Sequence, residues 1–319
     1  MIATRRADAT GADNYAYGVD TTLNFSTELS ASGYWSQTDT PDLTGSDTSY
    51  QGQVRWNADR AGFSVQHLYV GDDFNPEIGF VRRSAFRRSF GQARYSPRPR
   101  NIPRVRKLFY EAQVDYYENT AGQLESREIE GTFRIEFTST DKINVQVKDI
   151  FERIDADFDV ADGVTIPAGN YSFRQASVFY ELPPSRPMSG FISARYGGFY
   201  GGTLAEVSWR GRAEFSPQLY AEPSISFNRV ETPFGSGNAN LIGSRLTYTL
   251  TPQMFVGALI QYASRSGSVS TNARFRWEFQ PGSDLFIVYS DGRSALDGSF
   301  PSRLDNRSFV VKITRLFRW

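Results

Sequence analysis

Between Asn14 and Phe25 the side chains sort by parity: Tyr15, Tyr17, Val19, Thr21, Leu23 and Phe25 fall on one side, with Asn14, Ala16, Gly18, Asp20, Thr22 and Asn24 on the other. A repeat of two residues is the period of a β-strand whose two faces meet different surroundings. The same sorting returns downstream. Ile129, Gly131, Phe133, Ile135 and Phe137 oppose Glu128, Glu130, Thr132, Arg134 and Glu136. Val207, Trp209, Gly211, Ala213 and Phe215 oppose Glu206, Ser208, Arg210, Arg212 and Glu214, and Ala273, Phe275, Trp277 and Phe279 oppose Asn272, Arg274, Arg276, Glu278 and Gln280. No comparable stretch has a helical period, so the chain is expected to be all-β.

Alternation alone also fits a soluble sandwich or propeller, with one face dry and one wet. Strand length separates the cases. Many segments run about 10 to 13 residues, beyond the about 5 to 6 of ordinary sheets and close to the about 9 to 11 of a tilted strand crossing a bilayer. The polar sides carry arginine and glutamate of both signs, which suits a hydrated interior where neighbouring strands pair their charges.

About eighteen strands are expected, with connections of two kinds. Short turns at 281–284, 251–253, 216–218, 183–187, 138–142 and 57–62 alternate with longer segments at 291–306, 264–271, 228–240, 153–170, 119–125, 71–83 and 38–49. GGFYGG at 197–202 is short on the loop side and SPRPRNIPRVRK at 96–107 is long on the turn side. Short turns at one end and long loops at the other describe a transmembrane antiparallel up-and-down β-barrel of the outer-membrane kind. In hydrocarbon every backbone donor and acceptor must be paired, so a spanning sheet is expected to close on itself.

Composition sharpens this reading. The 319 residues include 25 Phe, 17 Tyr and 5 Trp, yet mean hydropathy is −0.44. A lipid-facing band with aromatic girdles accounts for the excess without a ligand. The 35 basic and 35 acidic side chains balance, which removes the electrostatic case for general nucleic-acid binding. With no Cys and one His there is no disulfide framework, thiol nucleophile, zinc ribbon or multi-histidine metal centre. No run approaches the ~18 apolar residues of a spanning helix. MIATRRADATGADN also lacks the apolar core of an export leader, so the sequence reads as a fragment whose leader lies upstream.

The end of the chain, SFVVKITRLFRW, places Phe309, Val311, Ile313, Phe317 and Trp319 in one register. That pattern resembles the terminal signal read by the bacterial barrel-assembly machinery, from which Arg315 departs; an ordinary amphipathic last strand is the alternative. VGDDFNPEIGFVRRSAFRRSFGQARYSPRPR (70–100), DGVTIPAGNYSF (162–173), RWEFQPGSDLFIVYSD (276–291) and VKITRLFRW (311–319) resemble the bacterial barrel family filed as domain of unknown function 5916. The likeness covers nearly the whole chain. It implies a secreted, integral outer-membrane protein of a Gram-negative envelope, in which further strands and a family-nine-type carbohydrate-binding module would precede Met1. It implies no established activity.

Candidate chemistry is sparse. Asp72, Asp73, Asn75 and Glu77 precede Arg82 and Arg83 on a long loop, where four oxygen-bearing side chains could hold calcium or bind sugar hydroxyls beside Phe74 and Phe80; pairing with neighbouring arginines is the simpler reading. From Arg82 to Lys107 there are ten basic residues and no acid. Arg87, Arg88 and Arg94 are expected to project into the lumen as an anion-attracting stretch, or else to pair with Glu111, Asp115, Glu128 and Glu130 on adjacent strands. His67 alternates with Val65 and Tyr69, which places it on the lipid side or at the interface rather than in catalysis. Asp155 with Asp157 could in principle serve glycoside cleavage, although their spacing does not favour it over solvated loop acids.

The expected function is therefore a non-enzymatic, porin-like outer-membrane barrel, a channel or surface anchor associated with glycan binding or uptake, with outer-membrane lipid and the assembly machinery as partners and no cofactor. An outer-membrane glycan hydrolase with its site among the long loops is the alternative, and a plugged barrel serving only as anchor is a third.

Overall fold

The computed structural model describes residues 1–7, 13–81, 83–161, 163–294 and 303–317. The strands are β1 (Ile2–Ala7), β2 (Asp13–Asn24), β3 (Leu29–Asp39), β4 (Thr48–Asn57), β5 (Ala61–Val70), β6 (Phe86–Tyr95), β7 (Val105–Asn119), β8 (Leu124–Phe137), β9 (Lys142–Ile154), β10 (Phe158–Ala161) and β11 (Val164–Ile166). They continue with β12 (Gly169–Leu182), β13 (Met188–Phe199), β14 (Gly202–Glu214), β15 (Leu219–Thr232), β16 (Gly235–Asn238), β17 (Leu241–Thr251), β18 (Met254–Ala263), β19 (Ser268–Gln280), β20 (Ser283–Ser294) and β21 (Arg303–Thr314). No helix occurs among the described residues.

Nineteen strands share one antiparallel sheet, with each long strand hydrogen-bonded to its neighbours in sequence and β9 meeting β12 across the separate β10/β11 pair. β16 is a four-residue return on the end of β15, which leaves eighteen principal strands, as the alternation predicts. Consecutive pairing, strands of mostly 10 to 15 residues and two unlike faces make the chain a transmembrane up-and-down β-barrel protein.

By contacts the chain divides into two compact units, one of Met1–Ile135, Val145–Ala156 and Pro167–Gln175, the other of Glu136–Asn144, Asp157–Ile166 and Ala176–Trp319. In the first, a single rung crosses six strands: Val19 faces Trp35, Trp35 faces Tyr50, Tyr50 faces Tyr69, Tyr69 faces Arg87 and Arg87 faces Glu118. Period-two geometry then fixes every other residue of those strands to one face or the other. The apolar face is outward and bare: Val19, Trp35, Val65 and Val147 are 49, 41, 56 and 52 % exposed. Side chains of that size are left uncovered in quantity only where another solvent covers them, and acyl chains fit.

In the second unit the same division holds. Ile192, Val207, Ile260 and Ile313 stand on the exposed face, while Arg195 reaches Glu206 and Arg276 reaches Asp284 on the polar one. Its fully buried apolar side chains gather at the loop end, where the β10/β11 hairpin buries Ala161, Val164 and Ile166. The phenyl ring of Phe158 meets the ring of Tyr200 edge-on at 5.4 Å.

Several connections differ from expectation. The segment 153–170 contains the β10/β11 hairpin, which its Gly- and Asp-rich composition hides. Within 228–240, β15 runs on to Thr232 and turns back through β16. GGFYGG is short, as expected: a two-residue turn with Tyr200 and Gly201 both left-handed, at φ 45° and 82°, the geometry that matches strand twist. Strand β21 ends at Thr314; Phe309, Val311 and Ile313 face Tyr289, Ile287 and Leu285 on the apolar side, whereas Arg315 and Phe317 follow the strand with the guanidinium 5.1 Å over the Phe317 ring. Trp319 lies outside the described residues, as does Arg82.

Candidate functional site

The long loop between β5 and β6 is ordered by its own acids. Val70, buried, delivers the chain to Gly71, whose amide donates to Thr48 O at 2.9 Å; the Asp73 amide donates to Ser46 O at 2.9 Å. The Asp73 carboxylate accepts the Gly45 amide, so Asp73 ties this loop to the one at 40–47. Asp72 accepts the Thr120 hydroxyl at 2.6 Å. The Asn75 amide donates to the buried Thr38 hydroxyl at 3.1 Å, and Asn75 O accepts from Asn14 Nδ2 at 2.9 Å. Glu77 pairs with Arg6 at 2.5 Å, and Arg83 with Glu125. The loop thus lies back over the ends of β2 and β3.

The three carboxylates go to three different elements rather than to one point, and no group of three acidic or histidine side chains able to hold a metal ion forms among the described residues. What the loop does enclose is an open cavity of about 550 Å³ between Leu43, Phe74, Pro76, Glu77, Phe80 and Val81. Phe80 is 87 % exposed at its rim. An aromatic face beside hydrogen-bonding oxygens is a surface to which a pyranose ring can stack and bind.

The basic stretch divides by parity. Arg88 and Arg94 share the polar face with Phe90 and Gln92, but Arg87 points to the apolar face, opposite Tyr69 and Glu118, with its guanidinium 5.6 Å over the Tyr69 ring. Adjacent residues of a strand cannot share a face, so Arg87 is corrected from a lumenal to an outward position. Arg88 grips Asp115 through two bonds of 2.7 and 2.8 Å and donates to Gln66 Oε1 at 3.0 Å. Arg94 turns to the short turn below, donating to Asn57 Oδ1 at 2.9 Å and Ala58 O at 2.6 Å.

The neighbouring strands extend this ladder. Glu130, nearly buried, receives Gln113 at 3.1 Å, Gln146 at 2.6 Å and the Thr132 hydroxyl at 2.8 Å. Lys148 lies between Glu128 and Glu130 at 2.8 and 3.3 Å, and Arg134 reaches Glu111 at 3.4 Å. Of the four acids expected to neutralise the basic stretch, Asp115 takes Arg88 from within it, while Glu111 meets Arg134 and Glu128 and Glu130 meet Lys148, two cations that lie outside it. At the turn end Asp59 accepts from Arg98 and, at 3.1 Å, from Lys107, and these two hydrogen bonds hold its carboxyl below the usual carboxylate range.

In the second unit the polar face holds a cavity of about 470 Å³ that the alternation could not locate. Tyr220, Glu222, Arg245, Phe255, Asn272 and Arg274 line it, from four strands that pair in sequence. Their shared parity was readable; their convergence depended on register. His67 lies on the apolar face, its Nδ1 3.0 Å from Ser89 Oγ, and Asp155 pairs with Arg153 at 3.1 Å.

In comparisons with known proteins, no family and no curated protein matches this chain. Among solved structures, two mutants of the ferric enterobactin receptor PfeA from Pseudomonas aeruginosa are similar over 98 % of this chain and 71 % of theirs. The R480A/Q482A mutant has 8 % identity and a TM-score of 0.40, and the G324V mutant 7 % and 0.44.

Proposed function

We propose that this chain is an integral outer-membrane barrel, without enzymatic activity, that passes or anchors polar solutes and takes glycans as its solute class. The observation that carries this reading is the opposition of the two faces: Arg88 with Asp115, Lys148 with Glu128 and Glu130, and Arg134 with Glu111 line one side of strands whose other side is bare aromatic and aliphatic surface. Paired charges of both signs make a wet, solute-tolerant wall, since each ion keeps a partner without excluding water. The aromatic cavity of the 71–85 loop supports the glycan assignment.

Proteoliposomes carrying the purified chain should swell in small sugars and stop swelling above a size limit; absence of swelling with every sugar would leave the anchor reading in place of the channel. In planar bilayers, Arg88→Glu together with Arg94→Glu should move selectivity toward cations, whereas Arg87→Glu, on the other face, should not. Unchanged reversal potentials in the double variant would remove Arg88 and Arg94 from the conducting path.

A further inference from the structure

On the apolar face, each unit carries an aspartate held between two arginines. In the first, Asp149 of β9 accepts from Arg127 of β8 at 3.1 Å and from Arg174 of β12 at 2.8 Å. In the second, Asp291 of β20 accepts from Arg293 at 2.7 Å and from Arg307 of β21 at 2.8 Å, with the Tyr289 hydroxyl adding a bond of 3.2 Å. β1 and β2 repeat a smaller version, in which Arg5 and the Tyr15 hydroxyl both donate to Asp13, at 2.6 and 3.2 Å.

Each of the two larger clusters sits near the loop end of the apolar run of its strands, with Phe151 of β9 one step beyond Asp149 on the same face. Toward the turns β8 continues as Ile129, Gly131, Phe133, Ile135 and Phe137, β9 as Val147, Val145 and Ile143, and β20 as Tyr289, Ile287 and Leu285. Nine residues of β8 at about 3.3 Å each, tilted by about 40°, rise roughly 20 Å, near the ~25 Å height of a barrel's lipid-facing band. The first cluster therefore stands at headgroup depth, and the second closes the shorter run 285–289 at the same loop end; at the turn end of β8 and β9, Asp141 holds a single arginine, Arg186, with the Tyr180 hydroxyl.

Two guanidiniums on one carboxylate leave a net positive charge. The carboxylate of Asp291 is 9 % exposed, while Arg293 and Arg307 are 42 and 48 % exposed. In the other cluster Arg174 is 82 % exposed, and Arg127 Nε is buried without a hydrogen-bond partner. The acid holds the guanidinium planes in place, and the Arg174, Arg293 and Arg307 side chains stay exposed beside it. A planar cationic fork of this kind matches a phosphate better than any neutral headgroup does.

We propose that the Arg127/Asp149/Arg174 and Arg293/Asp291/Arg307 clusters are binding sites for the headgroup phosphates of the loop-side leaflet, with a phosphorylated glycolipid, an acylated glucosamine disaccharide bearing two phosphate monoesters, as the lipid. The choice of lipid rests on the outer-membrane reading above.

The test uses the folded chain in detergent, mixed with that glycolipid or its dephosphorylated form and examined by native mass spectrometry. The wild-type chain should retain the phosphorylated lipid, and millimolar inorganic phosphate should not displace it. Arg127→Gln/Arg174→Gln and Arg293→Gln/Arg307→Gln should each weaken binding at their own site about tenfold, so that the doubly loaded species gives way to the singly loaded one; Arg195→Gln, which removes a charge from the polar face, should not. Arg174→Gln alone, at an exposed side chain, keeps the test valid if a double variant does not fold, and it should still weaken binding at its own site severalfold. Equal retention of both lipid forms, displacement by free phosphate, or variants indistinguishable from Arg195→Gln would overturn the proposal. Purified components make that result independent of cellular address, which envelope fractionation tests separately.

Discussion

Gly190 stands opposite Gly211 in the β13/β14 ladder with φ at 110°, and a β-carbon there would lie 2.3 Å from Arg210 O and from the Gly211 Cα. Both the dihedral and the contact with backbone forbid a side chain. Gly257 of β18 has nothing within 4 Å of its notional β-carbon and an ordinary strand conformation. Gly190→Ala should therefore cost about 1 to 3 kcal/mol in denaturant unfolding of the detergent-solubilised chain, while Gly257→Ala should stay within about 0.5 kcal/mol of the parent. The sequence shows two glycines in alternating strands; only the register says that one faces backbone and the other open space. Arg87 and Arg88 teach the complementary lesson. Parity separates them at once, yet grouping them by charge placed them on a single wall.

The turns and loops depend on individual carboxylates more than the strands do. Asp141, in the turn from β8 to β9, accepts hydrogen bonds from the Ser139 hydroxyl, from Tyr180 at 2.8 Å and from Arg186 at 2.6 Å. The Ser139 bond is the largest influence; together these bonds outweigh the burial that opposes them and hold the carboxyl below its usual range, as Arg98 and Lys107 do for Asp59. A lowered folded value means that the unfolded chain binds more protons as acid is added. The stability from these two turns is therefore complete above the ordinary carboxylate pKa of about 4 and is lost as pH falls through the lowered values. The unfolding midpoint should drop across that window, and Asp141→Asn should begin lower at neutral pH and slope less steeply; parallel curves for parent and variant would show that Asp141 is not the group responsible. The short turns were legible because Pro, Gly, Ser and Asp interrupt the alternation. The β10/β11 hairpin was not, since its few apolar residues, Val164 and Ile166 among them, are buried by neighbouring loops and carry no strand-length pattern of their own.

For the protein taken as one membrane-spanning sheet, the exposed aromatics make a direct demand. Phe133 sits midway along the apolar run of β8, its ring 5.0 Å from that of Tyr110. Phe133→Arg should destabilise the chain by about 2 to 4 kcal/mol in lipid vesicles, as charges do at the bilayer midplane. Little change would mean that this face does not meet hydrocarbon. The strand count, the strand lengths and the identity of the greasy face all follow from a period of two carried over long segments, because that period is local: each residue's side is set by its neighbours along the backbone. Partner choice is not local. That Asp115 takes Arg88, that Lys148 stands between Glu128 and Glu130, and that Asp149 and Asp291 each hold two arginines from neighbouring positions depends on register between strands, which the folded sheet sets through its turns and backbone hydrogen bonds. The chain's alternation fixed which way each side chain points, and the folded pairing fixed what it meets there.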